Sequence, residues 1–184
     1  MKQALAMVLA LCIVAIISGG VLSLVNSWAQ PQVAANLEAA TEQAIFLVQP
    51  EGERYEVMAG VEFTVYQVFD SDDRFVGYAM VYEGKGYQGT IRLMAGLNED
   101  LTEIVAIEVL EDSETPGLGA LINEDKFKNQ FKGLETSPAI AWVKGAAPSE
   151  PNEVKAITGA TISTRAVVDI LNEGVADLRR SLTE

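Results

Sequence analysis

Residues 156–171 read AITGATISTRAVVDIL, and four hydroxyls (Thr158, Thr161, Ser163, Thr164) crowd around Gly159 and Ala160 where a helical pattern begins. A helix N-terminus presents unpaired backbone N–H groups and a partial positive charge, so it suits a phosphate. Glycine lets the main chain approach such a ligand closely. The same residues also describe an ordinary capped helix, with Ser163 or Thr164 as the N-cap. A second segment, Glu114-Thr115-Pro116-Gly117-Leu118-Gly119, places Pro-Gly at the centre of a type II turn and holds Thr115 extended before proline. That loop could present polar backbone beside Leu118 to a flat apolar ring, or it is a plain strand-to-helix connection. A third, Gly84-Lys85-Gly86-Tyr87-Gln88-Gly89, has the glycines of a phosphate loop without the spacing of one, and a hairpin explains it. Lys144, at the end of a short apolar run, is a candidate partner for an anion.

Composition removes other chemistries. The chain has 184 residues, no His and one Cys, Cys12. Histidine-based triads, His-ligated haem and ordinary zinc sites are excluded, as are a self-contained iron–sulfur cluster and an internal disulfide. Any redox chemistry therefore needs an organic cofactor. The formal charge of -13 argues against nucleic acid as a partner.

These segments need a scaffold, and the pattern of apolar residues predicts one. Ala4–Val25 is uncharged and apolar over a length that matches a bilayer core. Ser27-Trp28-Ala29 resembles a signal cleavage site, but the apolar run exceeds the roughly 7–15 residues of a signal core. The sequence thus predicts one transmembrane anchor over 1–29. Lys2 is the only charge before Glu38, which puts the N-terminus in the cytoplasm and the remainder outside. Residues 30–50 predict a linker helix, with Leu37, Thr41, Ala44, Ile45 and Val48 on one face and an end at Gln49-Pro50-Glu51-Gly52. Residues 51–184 form the remaining domain.

Within that domain, 61–69, 75–83, 89–97 and 101–110 are rich in Val, Ile, Tyr and Phe and are separated by turn compositions. They predict four strands of an antiparallel meander. Residues 119–132 predict a helix burying Leu121, Ile122, Phe127 and Phe131, and 139–143 a short strand. Residues 145–154 read as a loop, and a final helix from about Ser163 carries the stripe Val167, Val168, Leu171, Val175, Leu178 and Leu182. The fold class is α+β: a mostly antiparallel sheet with packed helices, preceded by one transmembrane helix.

In this order and spacing, the anchor, linker helix, GYQGTI, ETPGLG, ITGATIS and final helix resemble the G subunit of Rnf-type electron-transport complexes. That family is related to the C subunit of the sodium-translocating NADH:quinone reductase. The resemblance runs over essentially the whole chain, and the modest length favours the Rnf side. It implies an FMN-binding domain with one FMN held as a phosphoester on the last threonine of [ST]GAT, here Thr161. A separate flavin transferase would attach it from FAD. The resemblance also implies that Thr115, Leu118 and Gly119 contact the ring, with Glu114, Gly117 and Tyr87 nearby. Thr158, Gly159, Ala160, Ser163, Thr164 and Lys144 would surround the phosphate and ribityl chain. Lys155 stands where the family pattern usually has aspartate. The implied role is electron relay in an inner-membrane translocase between ferredoxin and NAD, coupled to Na⁺ or H⁺, with other membrane and redox subunits as partners. No side chain of this chain would itself be catalytic. The residues alone also admit a membrane-anchored binding module without flavin, or a flavoprotein of another extracytoplasmic electron chain.

Overall fold

The computed structural model describes residues 2–183. The chain divides into two compact units, Met1–Ala40 and Thr41–Glu184. Helix α1 spans Lys2–Val48. Where the sequence predicts an anchor followed by a separate linker helix, the helix is continuous, with Pro31 inside it. Between Trp28 and Val33 there is no glycine or asparagine to accept the left-handed conformation that commonly ends a helix. Residues Met7–Val33 have a mean hydropathy of 2.7 and are long and apolar enough to cross a membrane. The predicted stop at Gln49-Pro50 is where α1 ends.

In the second unit a six-stranded antiparallel sheet runs in simple chain order. Its strands are β1 (Arg54–Val57), β2 (Val65–Phe69), β3 (Phe75–Lys85), β4 (Thr90–Asn98), β5 (Glu103–Asp112) and β6 (Leu134–Glu135). The predicted meander forms its centre. The sequence pattern does not reveal β1 and β6, because four and two residues are too few to show a period. A parallel pair, β7 (Ala141–Val143) and β8 (Glu153–Lys155), lies outside the main sheet. β7 agrees with the predicted short strand, whereas β8 falls partly in the segment predicted as loop.

Alternation along the strands gives the sheet two apolar faces. Met80, Leu93, Ala95 and Leu97 join the larger cluster, which includes Val167, Val168, Leu171, Val175 and Leu178 of α3 (Thr161–Ser181). Ala79, Val81 and Met94 face the other way, against Ala44, Ile45 and Val48 of α1. The predicted stripe of α3 is thus buried, except that Leu182 lies beyond the helix and is 42% exposed. Leu37's side chain lies outside the described residues.

The helix predicted over 119–132 is broken into three pieces. These are a 3₁₀ turn (Gly119–Asn123), a single turn α2 (Asp125–Lys128) and a second 3₁₀ turn (Asn129–Phe131). Glu124 is extended, with φ -73° and ψ 140°, which interrupts the helical ladder. Ile122, Phe127 and Phe131 are nonetheless buried. The periodicity marks burial correctly at these three positions, whereas Leu121, expected with them, is only half-buried; tertiary packing overrides the pattern as a single helix.

Candidate functional site

Helix α3 starts at Thr161, two residues earlier than predicted, and Ala160 occupies its N-cap without a side-chain cap. The first bond of the helix runs from the Thr164 N–H to the Ala160 carbonyl (3.0 Å). The N–H groups of Thr161, Ile162 and Ser163 therefore have no intrahelical acceptor. All three residues line a cavity of about 550 Å³.

Ser163 and Thr164 are not N-caps, which corrects the sequence expectation. Both are buried inside the first turn. Thr164 Oγ1 accepts the Ile157 N–H (3.1 Å) and donates to the Ala160 carbonyl (3.1 Å). It stitches the preceding loop to the helix. Ser163 Oγ donates to Glu114 Oε2. Among the described residues, no hydrogen bond is made by the hydroxyl of Thr161 or Thr158. Thr161, half-buried, and Thr158, exposed, both line the cavity. Of four crowded hydroxyls, two are committed to packing and two are available to a ligand.

The loop after β5 closes another side. Pro116-Gly117 sits at the centre of a turn whose Leu118 N–H donates to the Thr115 carbonyl (3.1 Å), and Gly117 has φ +75°. That agrees with the predicted type II turn. The Thr115 hydroxyl donates to Gln88 Oε1. Leu118 is 49% exposed and, with Thr115 and Gly119, lines the cavity. Tyr87, from the β3–β4 loop, and Lys144, just after β7, complete its wall.

Most predicted site residues thus come together: Tyr87, Thr115, Leu118, Gly119, Lys144, Thr158, Gly159, Ala160, Thr161 and Ser163. Three do not line the cavity. Gly117 is turned to solvent, Thr164 is wholly buried, and Glu114 points its carboxylate inward. Sequence reasoning missed Ile157 and Ile162, which add apolar wall, and Gln88, which orients Thr115. Their signal is weak, since a lone isoleucine or glutamine beside a motif looks like any other. Lys155, at the end of β8, lies outside the cavity; its main chain is bonded to the Gln130 side chain.

The electrostatics favour an anion. Among the described residues, no acidic side chain lines the cavity or occupies the first turn of α3, although the whole chain is acidic. The helix terminus and Lys144 supply positive potential. Gly159, at φ +87°, adopts a conformation that residues with a Cβ rarely take, and this shapes the loop leading to the three free N–H groups. Leu118, Ile157 and Ile162 offer apolar surface beside this polar end. The arrangement suits a ligand with a phosphate at one end and a planar apolar body at the other, as in FMN.

The family model for the FMN-binding domain matches residues 86–176, which include every element of the cavity. The G subunit of the ion-translocating oxidoreductase complex of Methanosarcina acetivorans is 30% identical over 182 residues, covering 95% of this chain and 94% of that protein. The G subunit of the proton-translocating ferredoxin:NAD(+) oxidoreductase complex of Clostridium ljungdahlii is 34% identical over 103 residues, covering 56% and 54%. Among solved structures, NqrC of Shewanella oneidensis aligns with a TM-score of 0.62 at 25% identity, over 66% of this chain and 59% of that one. Fold and site together define an FMN-binding domain of the Rnf/Nqr type. The chain belongs to the G-subunit family of Rnf-type ion-translocating oxidoreductase complexes, whose members are subunits of translocases.

Proposed function

We propose that this chain carries one FMN covalently, as a phosphoester on Thr161, and relays electrons within a membrane-bound complex that moves Na⁺ or H⁺. The observation that carries the reading is the sorting of hydroxyls. Ser163 and Thr164 are spent on internal hydrogen bonds, while Thr161 opens into the cavity at the first residue of α3. Attachment by a flavin transferase would join Thr161 Oγ to the FMN phosphorus, break the pyrophosphate bond of FAD, and release AMP and the hydroxyl proton. The main-chain N–H groups of Thr161, Ile162 and Ser163 would hold the phosphate, with Lys144 adding charge. Thr115, Leu118, Gly119 and Tyr87 would contact the ring, and Thr158 the ribityl chain. Bound FMN supplies reversible acceptance and donation of electrons; the residues around it fix its place and tune its potential.

The terminal reactions, between ferredoxin and NAD as in the complex of the Clostridium ljungdahlii relative, would belong to other subunits. In this reading 1–29 anchors the chain in the inner membrane as a single pass, 30–50 links, and 51–184 holds the flavin outside the cytoplasm. Lys2, with no other charge before Glu38, supports that orientation. Co-expression with a flavin transferase tests the central claim. The denatured chain is expected to fluoresce in the gel and to gain the mass of an esterified FMN, while Thr161→Ala does neither. A wild-type chain that stays dark at the bare polypeptide mass refutes it.

A further inference from the structure

Glu114 is a buried acid at the junction of three segments, and it does not touch the cavity. Its Oε1 accepts the N–H of Tyr87 (2.7 Å) and of Gln88 (3.0 Å). Its Oε2 accepts the Ser163 hydroxyl. The first pair fixes the β3–β4 loop, which brings Tyr87 to the cavity and Gln88 to the Thr115 hydroxyl. The last fixes the first turn of α3, two residues from Thr161. Glu114 itself belongs to the loop that carries Thr115, Leu118 and Gly119. One side chain therefore ties together three walls that are distant in sequence.

The neighbouring glycines show how tightly the carboxylate is fitted. A Cβ on Gly86 would lie 2.5 Å from Oε1. A Cβ on Gly119 would run into Oε2 and lie 2.6 Å from Ser163 Oγ. No larger residue fits at either place without moving the acid. The carboxylate is thus held by two main-chain donors and a hydroxyl, and boxed by two residues that leave it room.

We infer that Glu114 is the positioning residue of the flavin site: it sets Thr161 and the Tyr87–Gln88 and Thr115–Gly119 loops in register without contacting the cofactor. This rests on the assignment of Thr161 as the attachment point. The role belongs to the placement of the oxygens and not to the negative charge. Glutamine, of equal length, keeps an oxygen for the two loop N–H groups and turns its amide N–H toward Ser163 Oγ, which then accepts. Aspartate keeps the charge but draws it back by one methylene, out of reach of at least one wall.

The test compares Glu114→Gln and Glu114→Asp in the full chain, co-expressed with a flavin transferase. The rate of FMN incorporation is followed by intact mass. The fluorescence anisotropy and absorption fine structure of the bound flavin are recorded on folded protein well below its melting point. E114Q is expected to match wild type in both. E114D is expected to incorporate FMN on the order of 100-fold more slowly, the scale of an ångström-sized misplacement, and to hold the flavin loosely. If both variants match wild type, or if E114Q is impaired while E114D is not, the inference is overturned. An E114D chain that melts earlier but attaches and orders its flavin normally also overturns it, because that marks a purely structural acid. A wild-type chain without covalent flavin refutes the Thr161 assignment instead, which separates the two failures.

Discussion

Helix α3 is tied down at both ends by a carboxylate and a hydroxyl, and the two ties are built differently. At its N-terminal end Ser163 donates to Glu114, both groups are buried, and the same carboxylate serves two loop N–H groups. Near its C-terminal end Tyr82 of β3 donates to Asp177 Oδ2 (2.6 Å), where the Asp177 side chain is 34% exposed and also pairs with Arg180. The first tie collects three segments around a cavity. The second fastens the helix to one strand beside solvent. A buried acceptor left without its donor retains its full desolvation penalty, whereas water can replace a donor at the surface. The N-terminal tie therefore carries geometry, and the C-terminal one adds modest stability.

Substitutions can break that contrast or sharpen it. The largest stability effect is expected from Gly119→Ala, which forces a methyl group into Glu114 and Ser163. Chemical denaturation should show a loss of about 3 kcal/mol, the upper range for overpacking. Ser163→Ala leaves Glu114 Oε2 short of its donor and should cost about 2 kcal/mol by the same measurement. Tyr82→Phe, at the other end, should cost about 1 kcal/mol. A larger loss from Tyr82→Phe than from Ser163→Ala would reverse the ranking of the two ties. Thr161→Ala is expected to change stability by less than about 0.5 kcal/mol, since its hydroxyl has no partner among the described residues. Two hydroxyls of like chemistry, two positions apart, thus separate into a structural one at 163 and an available one at 161.

The C-terminal tie also has a pH signature. The hydrogen bond to Asp177, assisted by burial, raises the Tyr82 hydroxyl from 10.0 to about 12. The raised value means that the stabilisation is complete below about pH 10, where the unfolded tyrosine is still protonated. It is lost as the pH climbs toward the folded value. Wild type should lose more stability than Tyr82→Phe between about pH 10 and pH 12 in parallel urea titrations. Parallel curves would show that the phenol proton is not held by Asp177.

The sheet illustrates what local pattern can reveal. Strands β2 to β5 are legible because each alternates or runs apolar for at least five residues between turn compositions. The 119–132 segment is legible as a buried face but not as three short turns, since Glu124's extended conformation leaves no mark on apolar spacing. β8 is hidden because three residues, Glu153–Lys155, paired in parallel with β7, are too few to have a period of their own.

At the site, the sequence by itself determined which residues had to be considered. The absence of histidine, a single cysteine, the hydroxyl cluster before an amphipathic helix and the Pro-Gly turn are all local facts. They restrict redox chemistry to an organic cofactor and mark where its phosphate could sit. The division of labour among those residues was decided by tertiary structure alone. Whether a hydroxyl caps, stitches or waits for a ligand depends on the partner within about 3 Å. For Ser163 that partner is Glu114, from a loop 49 positions away in sequence. Glu114 reads in the sequence as one more member of ETPGLG. Only folding turned it from the cavity toward Tyr87, Gln88 and Ser163, because a buried carboxylate must find donors and those three were the ones the fold brought to it.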